Sequence, residues 1–233
     1  MELILDKYIY PSIVRDDDSA DIRLYKTPDN DLVPSVTSIL SKTKDTKYLD
    51  EWRKKVGEEE AKRITQEACS IGTKMHNYLE CYILDEKYHV DYNPRTTQAI
   101  SMAEVIIEEG LSHVDEVWGS EIQLFYKDQY AGTADLVGLY KGKPHIIDFK
   151  QTNRPKKEEW IQDYFLQLCA YAHAHNELTG TEINSGVVLM CSRDLQFQKF
   201  EMNEIQFQKY LMRDGQITIN LDKLFLNFKQ IIS

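Results

Sequence analysis

Gly132-Thr133-Ala134-Asp135, followed one strand later by Ile146-Ile147-Asp148-Phe149-Lys150, is the stretch that decides the fold. Alternate side chains of a strand share a face. Asp148 and Lys150 therefore point one way, and Ile147 and Phe149 the other. The run Pro144-His145-Ile146-Ile147-Asp148-Phe149 is mostly apolar, as expected of a strand covered on both sides. A carboxylate and an ammonium at the end of such a strand are costly unless they pair or hold a metal. The short Lys141-Gly142-Lys143 turn lets the strand carrying Asp135 pair with this one, which gathers Asp135, Asp148 and Lys150. Two carboxylates with a few waters are what Mg²⁺ usually takes from a protein. A lysine beside them can orient a water and offset charge on a phosphate. Alone, an Asp-x-Lys is most often an ordinary surface ion pair. The Gly-Thr-Ala-Asp strand before it and the helix after it set this one apart.

The chain of 233 residues suits one large domain, or a core with a helical elaboration. No stretch is long and apolar enough to cross a membrane. The Met-Glu-Leu-Ile-Leu-Asp-Lys start has neither a basic secretory region nor an Arg-rich presequence, so a cytoplasmic protein is expected. The 4 cysteines, Cys69, Cys81, Cys169 and Cys191, form no CxxC pair, which argues against a zinc or iron–sulfur site. They read as reduced thiols, several of them in the core. A net charge of −10 argues against a general nucleic-acid coat protein. Local potential counts for more than the total, however. Two basic clusters stand out: Lys42, Lys44, Lys47, Arg53, Lys54 and Lys55; and Lys150, Arg154, Lys156 and Lys157. The first reads equally as a solvated helix face, while the second starts in the proposed site.

Residues 1–34 read as short strands and loops, with a polar turn at Asp16-Asp17-Asp18-Ser19 and a hairpin turn at Thr27-Pro28-Asp29-Asn30-Asp31. Residues 35–110 read as a helical half. Ser35 or Thr37 caps a first helix. A second is expected from about Asp45 to Ala68, with Tyr48, Leu49, Trp52, Val56 and Ile64 as its apolar stripe. A third is expected from Ile71 to Leu84, capped by Thr73, with Met75, Leu79, Tyr82 and Ile83 inward. His76 and Glu80 share a face of it; such a pair is also an ordinary i,i+4 contact. Pro94 opens a fourth helix to about Glu109, with Ile100, Ala103, Ile106 and Ile107 inward, and Gly110 ends it. Residues 111–233 hold the sheet: strands at 117–127, 130–140, 143–152, 185–192 and 195–202. Glu121, on the first of these, faces either the site or solvent. A helix is expected over 156–178, with Trp160, Tyr164, Gln167 and Tyr171 along one face. A last helical region starts near Asn203, with Phe207, Tyr210 and Leu211 inward, and Gly215 breaks it before Leu221–Ile232. The fold class is α/β: a mixed central sheet flanked by helices, with an N-terminal helical elaboration.

Gly72-Thr73-x-x-His76, Gly132-Thr133-Ala134-Asp135, Asp148-Phe149-Lys150 and Gln167-x-x-x-Tyr171 together resemble the ordered motif set of the PD-(D/E)xK nucleases, RecB-like branch. Each motif is weak alone; four in order, on the expected helix, strand, strand and helix, are specific. Val33-Pro34-Ser35-Val36-Thr37-Ser38-Ile39-Leu40, Trp52-Arg53, Asp148-Phe149-Lys150-Gln151-Thr152 and Gln167-Leu168-Cys169-Ala170-Tyr171 extend the likeness to the mitochondrial genome maintenance exonucleases and their phage and bacterial relatives. The match runs from about Val33 to Leu211.

The resemblance implies a restriction-endonuclease-like core and a role for each matching position. Asp135 and Asp148 would bind a catalytic Mg²⁺ or Mn²⁺, with the Phe149 carbonyl as a further ligand. Lys150 would position or activate the attacking water. His76 would sit near the metal, and Gln167 and Tyr171 would orient the site or touch the DNA backbone. Glu80 and Glu121 are expected as extra ligands or groups behind them. The chain departs from the cluster-bearing relatives in lacking their cysteine set. It carries no Walker loop, so any unwinding must come from a helicase, polymerase or recombination partner. The expectation is a metal-dependent DNA exonuclease favouring single-stranded ends, acting in replication, recombination or repair in a bacterial cell or virus-infected host. The rivals are a structure-specific or restriction-type endonuclease on the same fold, and a DNA-binding module that does not cleave. Trp52, Tyr78 and Trp160 are candidates for base stacking, although core packing is the commoner use of such rings.

Overall fold

Two tight turns, at residues 127–129 and 141–142, fold residues 114–152 into a meander of three long strands. Lys141 and Gly142 both take positive φ (51° and 75°), the geometry that two-residue hairpin turns require. The computed structural model describes residues 1–16, 22–211, 225 and 228–230. In chain order, strands β1 (Glu2–Leu3), β2 (Val14–Asp16), β3 (Leu24–Lys26) and β4 (Leu32–Pro34) precede helices α1 (Val36–Thr43), α2 (Lys47–Val56), α3 (Glu58–Ile83) and α4 (Pro94–Glu109). The meander strands β5 (Val114–Tyr126), β6 (Tyr130–Tyr140) and β7 (Lys143–Thr152) come next. Helix α5 (Gln162–Thr179), β8 (Gly186–Ser192), β9 (Phe197–Met202) and α6 (Glu204–Leu211) complete the described elements.

The main sheet has the order β1-β5-β6-β7-β8-β9. It is mixed: β1 is parallel to β5, and β7 is parallel to β8, while the other neighbours are antiparallel. Parallel neighbours need a crossover, and α5 supplies it between β7 and β8. Its side of the sheet holds one apolar layer, built from Ile146, Val188, Phe165, Leu168 and Ala172, with Val36 and Ile39 of α1 beside them. Helices α3 and α4 cover the other side, where Met75, Leu79, Ile83, Met102 and Ile106 meet Ile147, Phe149, Val187 and Leu189. Neighbouring positions of β7 and β8 thus feed opposite layers, as strand alternation requires. A small antiparallel sheet, β2-β3-β4, packs on the start of β6 through Tyr25, Val33 and Ala131. The α/β class with a helix-flanked mixed central sheet is the architecture observed.

Several expected boundaries move. The helix expected over 45–68 is cut at Gly57, whose φ of 86° and ψ of 149° end α2 and start α3. The helix expected from Ile71 is instead continuous with the segment before it. Thr73 lies inside α3 and caps nothing, and Gly72 faces Gln151 of β7 at ordinary contact distance. Helix α2 buries none of its residues: Tyr48 is 78% exposed, and Trp52 and Val56 are only half-buried. In α3 the inward stripe is Ile71, Met75, Leu79 and Ile83, and Tyr82 turns outward. In α4 Ala99 and Met102 share the core with Ala103 and Ile106, while Ile100 and Ile107 are half-buried. The helix expected from residue 156 begins at Gln162, after a single 3₁₀ turn over Glu158–Trp160. Ser35 does cap α1, its Oγ accepting from the Ser38 amide. Strand β1, which extends the sheet at the β5 edge, is an addition to the sequence reading. The expected polar turn at 16–19, apart from Asp16, lies outside the described residues. So do the Leu211 side chain and the expected break at Gly215 before Leu221–Ile232. Of the cysteines, Cys169 and Cys191 are buried, whereas Cys69 is exposed. Among the described residues no helix is long and apolar enough to cross a membrane.

A methyl group at Gly57 would meet nothing within 4 Å, so only its backbone conformation resists substitution. Gly57→Ala is expected to cost about 1–2 kcal/mol, read as a lower urea midpoint with an unchanged slope.

Candidate active site

Strands β6 and β7 pair from Tyr140↔Lys143 up to Leu136↔Ile147. One step further, Asp135 would face Asp148, and there the ladder ends. The Phe149 amide donates instead to Asp135 Oδ2 at 2.7 Å. From this point β6 stays with β5 down to Tyr126↔Tyr130, and β7 stays with β8 up to Thr152↔Ser192. The sheet forks, with an aspartate on each prong.

Asp148 is 1% exposed. Its Oδ1 accepts from Lys150 Nζ at 2.6 Å and from Gln167 Nε2 of α5 at 2.9 Å. Its Oδ2 also lies 2.6 Å from Lys150 Nζ, but accepts no hydrogen bond. Lys150 Nζ stands 5.2 Å from the centre of the Tyr164 ring. On the other prong, Asp135 Oδ1 lies 3.5 Å from His76 Nδ1 of α3, and Glu121 Oε1 lies 3.7 Å from the same nitrogen. Donor atoms of His76, Glu121 and Asp135 all fall within 4.8 Å of one another.

The backbone explains how Glu121 arrives there. Ser120 pairs with Leu136 and Ile122 with Ala134, so Glu121 sits opposite Asp135. Its φ of 49° is left-handed, which is uncommon for a residue with a Cβ and reverses the local alternation of the strand. Gly132 has a different task. A Cβ there would stand 2.7 Å from Cε1 and Oη of Tyr171, so only glycine lets that ring lie on β6.

The fork gathers Asp135, Asp148, Lys150, His76, Gln167 and Glu121. The Phe149 ring is buried and meets His76 edge-on, with centroids 6.2 Å apart. Glu80 stands behind Glu121, close enough that burial and then the Glu121 charge raise its pKa, but it is outside the three-residue donor cluster. Tyr171 is buried beneath the site. Tyr164 was missed as a site residue. Its signal was the spacing Tyr164-x-x-Gln167 on the same face of α5.

Crowded carboxylates set the proton affinities. Burial pushes the Asp148 carboxyl up to about 6; Lys150 opposes this and Asp135 adds to it. Burial pulls Lys150 down, yet Asp148 and Asp135 more than offset it and leave the ammonium above the usual lysine range. Burial likewise pulls His76 down, but Asp135 and Glu121 together raise it to about 10. Burial alone would raise Asp135, but His76, Lys150 and the Phe149 amide hold it below the usual range. The donor set is oxygen-rich and free of thiolate. That chemistry fits a hard divalent cation.

No family model matches the chain. It is 28% identical over 178 residues to mitochondrial genome maintenance exonuclease 1 of Xenopus tropicalis, a match covering 71% of this chain and 50% of that protein. The human protein of the same name is 26% identical over 202 residues, covering 78% of this chain and 57% of that one. The chain thus spans about half the length of these relatives. A solved structure from Eubacterium rectale, assigned as an exonuclease, superposes with a TM-score of 0.49 at 12% identity over 71% of this chain and 66% of that one. The resemblance to the PD-(D/E)xK nucleases stands on the sequence relatives.

Gly132→Ala forces the Tyr171 ring off β6 and is expected to cost about 1–3 kcal/mol, measured by urea unfolding. A second outcome concerns pH. His76 is raised on folding from 6.5 to about 10, so its contribution is full below about 6.5 and is lost as pH rises through 10. The metal-free protein is expected to lose thermal stability over that interval, with a shallower loss in His76→Asn. Parallel curves for the two proteins would refute this.

Proposed function

We propose that this chain is a metal-dependent deoxyribonuclease that digests single-stranded DNA from an end. The observation that carries the reading is the sheet fork, with two buried aspartates, a half-buried lysine and a histidine facing one space. The named exonuclease relatives support the same class of activity, although the chain spans only about half of their length. A bound Mg²⁺ or Mn²⁺ would polarise the scissile phosphate and lower the pKa of a water.

The chain's own residues would divide the remaining work. Asp135 and Asp148 would hold the cation, with the Phe149 carbonyl as a third ligand from the same corner. The amide of Phe149 already fixes Asp135 Oδ2, which leaves Oδ1 for other partners. Gln167 and Lys150 fix Asp148 through Oδ1 in the same manner. Lys150 would orient the attacking water and offset charge growing on the phosphate oxygens. His76 would steady Asp135, with Glu121 and Glu80 behind it. Tyr171 would support Gln167 from below, where their side chains interact. A role in replication, recombination or repair, with a partner that exposes ends, belongs to this proposal. So does a bacterial or virus-infected cell as its place, although the relatives named above are eukaryotic proteins called mitochondrial.

The test is digestion of linear single-stranded DNA labelled separately at each end, with Mg²⁺, Mn²⁺ or EDTA. Stepwise shortening that requires the metal is expected, and Lys150→Ala is expected to slow it at least about a hundredfold. A closed single-stranded circle should stay intact; its cleavage would make the enzyme an endonuclease. Tight binding without turnover in either metal would overturn the nuclease reading.

A further inference from the structure

The two basic clusters of the sequence meet in space. Lys44, from the first, lies 2.6 Å from Asp163 in the first turn of α5. Its charge also reaches Lys156 of the second cluster, where burial and then Lys44 hold the ammonium below the usual lysine range. Trp160 ends the 3₁₀ turn between these groups and is 56% exposed, whereas Trp118 is buried. Lys157 Nζ lies 5.4 Å from the Trp160 ring centre. The same ammonium is 3.9 Å from Glu159, which draws part of its charge away from the indole face.

Trp160 precedes α5 by two residues, and Tyr164 and Gln167 on that helix lead to the fork. Gln167 touches Asp148, and Tyr164 lies under Lys150. An exposed indole just before the helix that lines the fork, with Lys157 over its ring, suits a ligand with a flat apolar face and an anionic backbone.

We propose that Trp160 is a stacking platform for an unpaired nucleobase of a strand whose phosphates run past Lys44 and Lys156 into the fork. This rests on the single-stranded substrate proposed above. Stacking on an aromatic ring tolerates any base, since every base offers a π-face. A platform of this kind holds a strand without reading its sequence, and hydrogen bonds to base edges would not.

The test uses the full chain carrying Lys150→Ala to block turnover. Its binding to a short labelled single-stranded DNA is followed by fluorescence anisotropy in Mg²⁺. A single abasic nucleotide is walked along that strand. Trp160→Ala is expected to weaken binding of the intact strand roughly tenfold, and Trp160→Phe far less. One abasic position should weaken binding to the protein that keeps Trp160 by a similar factor, with no further loss in Trp160→Ala. Equal affinities with and without Trp160→Ala, or losses that multiply at every position, would overturn the platform. The two readings fail separately. End digestion without abasic coupling removes the platform alone, and coupling without digestion by the protein that keeps Lys150 removes the nuclease reading alone.

Discussion

The hydrogen bond from the Phe149 amide to Asp135 Oδ2 takes the place of a ladder bond, and the rest of the site depends on that exchange. A backbone amide in a buried strand must find an acceptor. Had β6 supplied a carbonyl, the two strands would have stayed zipped and the aspartates would have faced each other across an ordinary pair. A carboxylate at the end of the ladder satisfies the amide and lets the strands part. It also ties the backbone of one prong to the side chain of the other, so the width of the fork is fixed by a charge-assisted bond. Asp148, nearly inaccessible, would be costly there as an isolated ion; Lys150 and Gln167 supply its partners.

Each partner arrives through the period of its own element. Strand alternation puts Asp148 and Lys150 together on the α5 side of β7. The helical repeat of α5 lines Tyr164 under Lys150, Gln167 against Asp148 and Tyr171 against Gly132. Helix α3 buries Ile71, Met75, Leu79 and Ile83, which points the neighbouring face, with His76, at Asp135. These supports are packed in two separate layers on either side of the sheet. A shift in one helix therefore moves one prong of the fork relative to the other.

Much of this was legible in the sequence because it followed from strict periods and turn chemistry. The bounds of β6 and β7 were readable from the Lys141-Gly142 turn and the apolar run around Ile146 and Ile147. The mixed sheet followed from a helix placed between two apolar strands. The helical half was less legible. Gly57 breaks a helix between a basic last turn, Arg53 to Lys55, and an acidic first turn, Glu58 to Glu60, a signal that the apolar period across it outweighed, while Gly72 passes through the middle of α3. A glycine marks freedom, and only packing says whether it is used. Tyr48 and Leu49 fit an apolar stripe at helical spacing, yet among the described residues nothing buries them. The left-handed turn at Glu121 was invisible, because glutamate carries no preference for it. Whether that carboxylate faced the site or solvent was a question of backbone, and no composition rule could answer it.

Three carboxylates, Asp135, Asp148 and Glu121, surround a small space: they raise Lys150 and His76 against the pull of burial, and Asp135 adds to burial in raising Asp148. Protons on the histidine and the lysine are one way to offset that excess, and a divalent cation is another. The two compete, because the oxygens that would ligate a cation are the ones that hold those protons in place. A phosphodiester brought to the fork adds further negative charge. An acidic protein accepts it only where cations face it, and those nearest this corner, Lys150 and Lys44, are each paired with an aspartate, Asp148 and Asp163, from which the phosphate would have to draw them. The net charge of −10 thus says little about the ligand, and the few cations that the fold brings to one corner say most of what can be said.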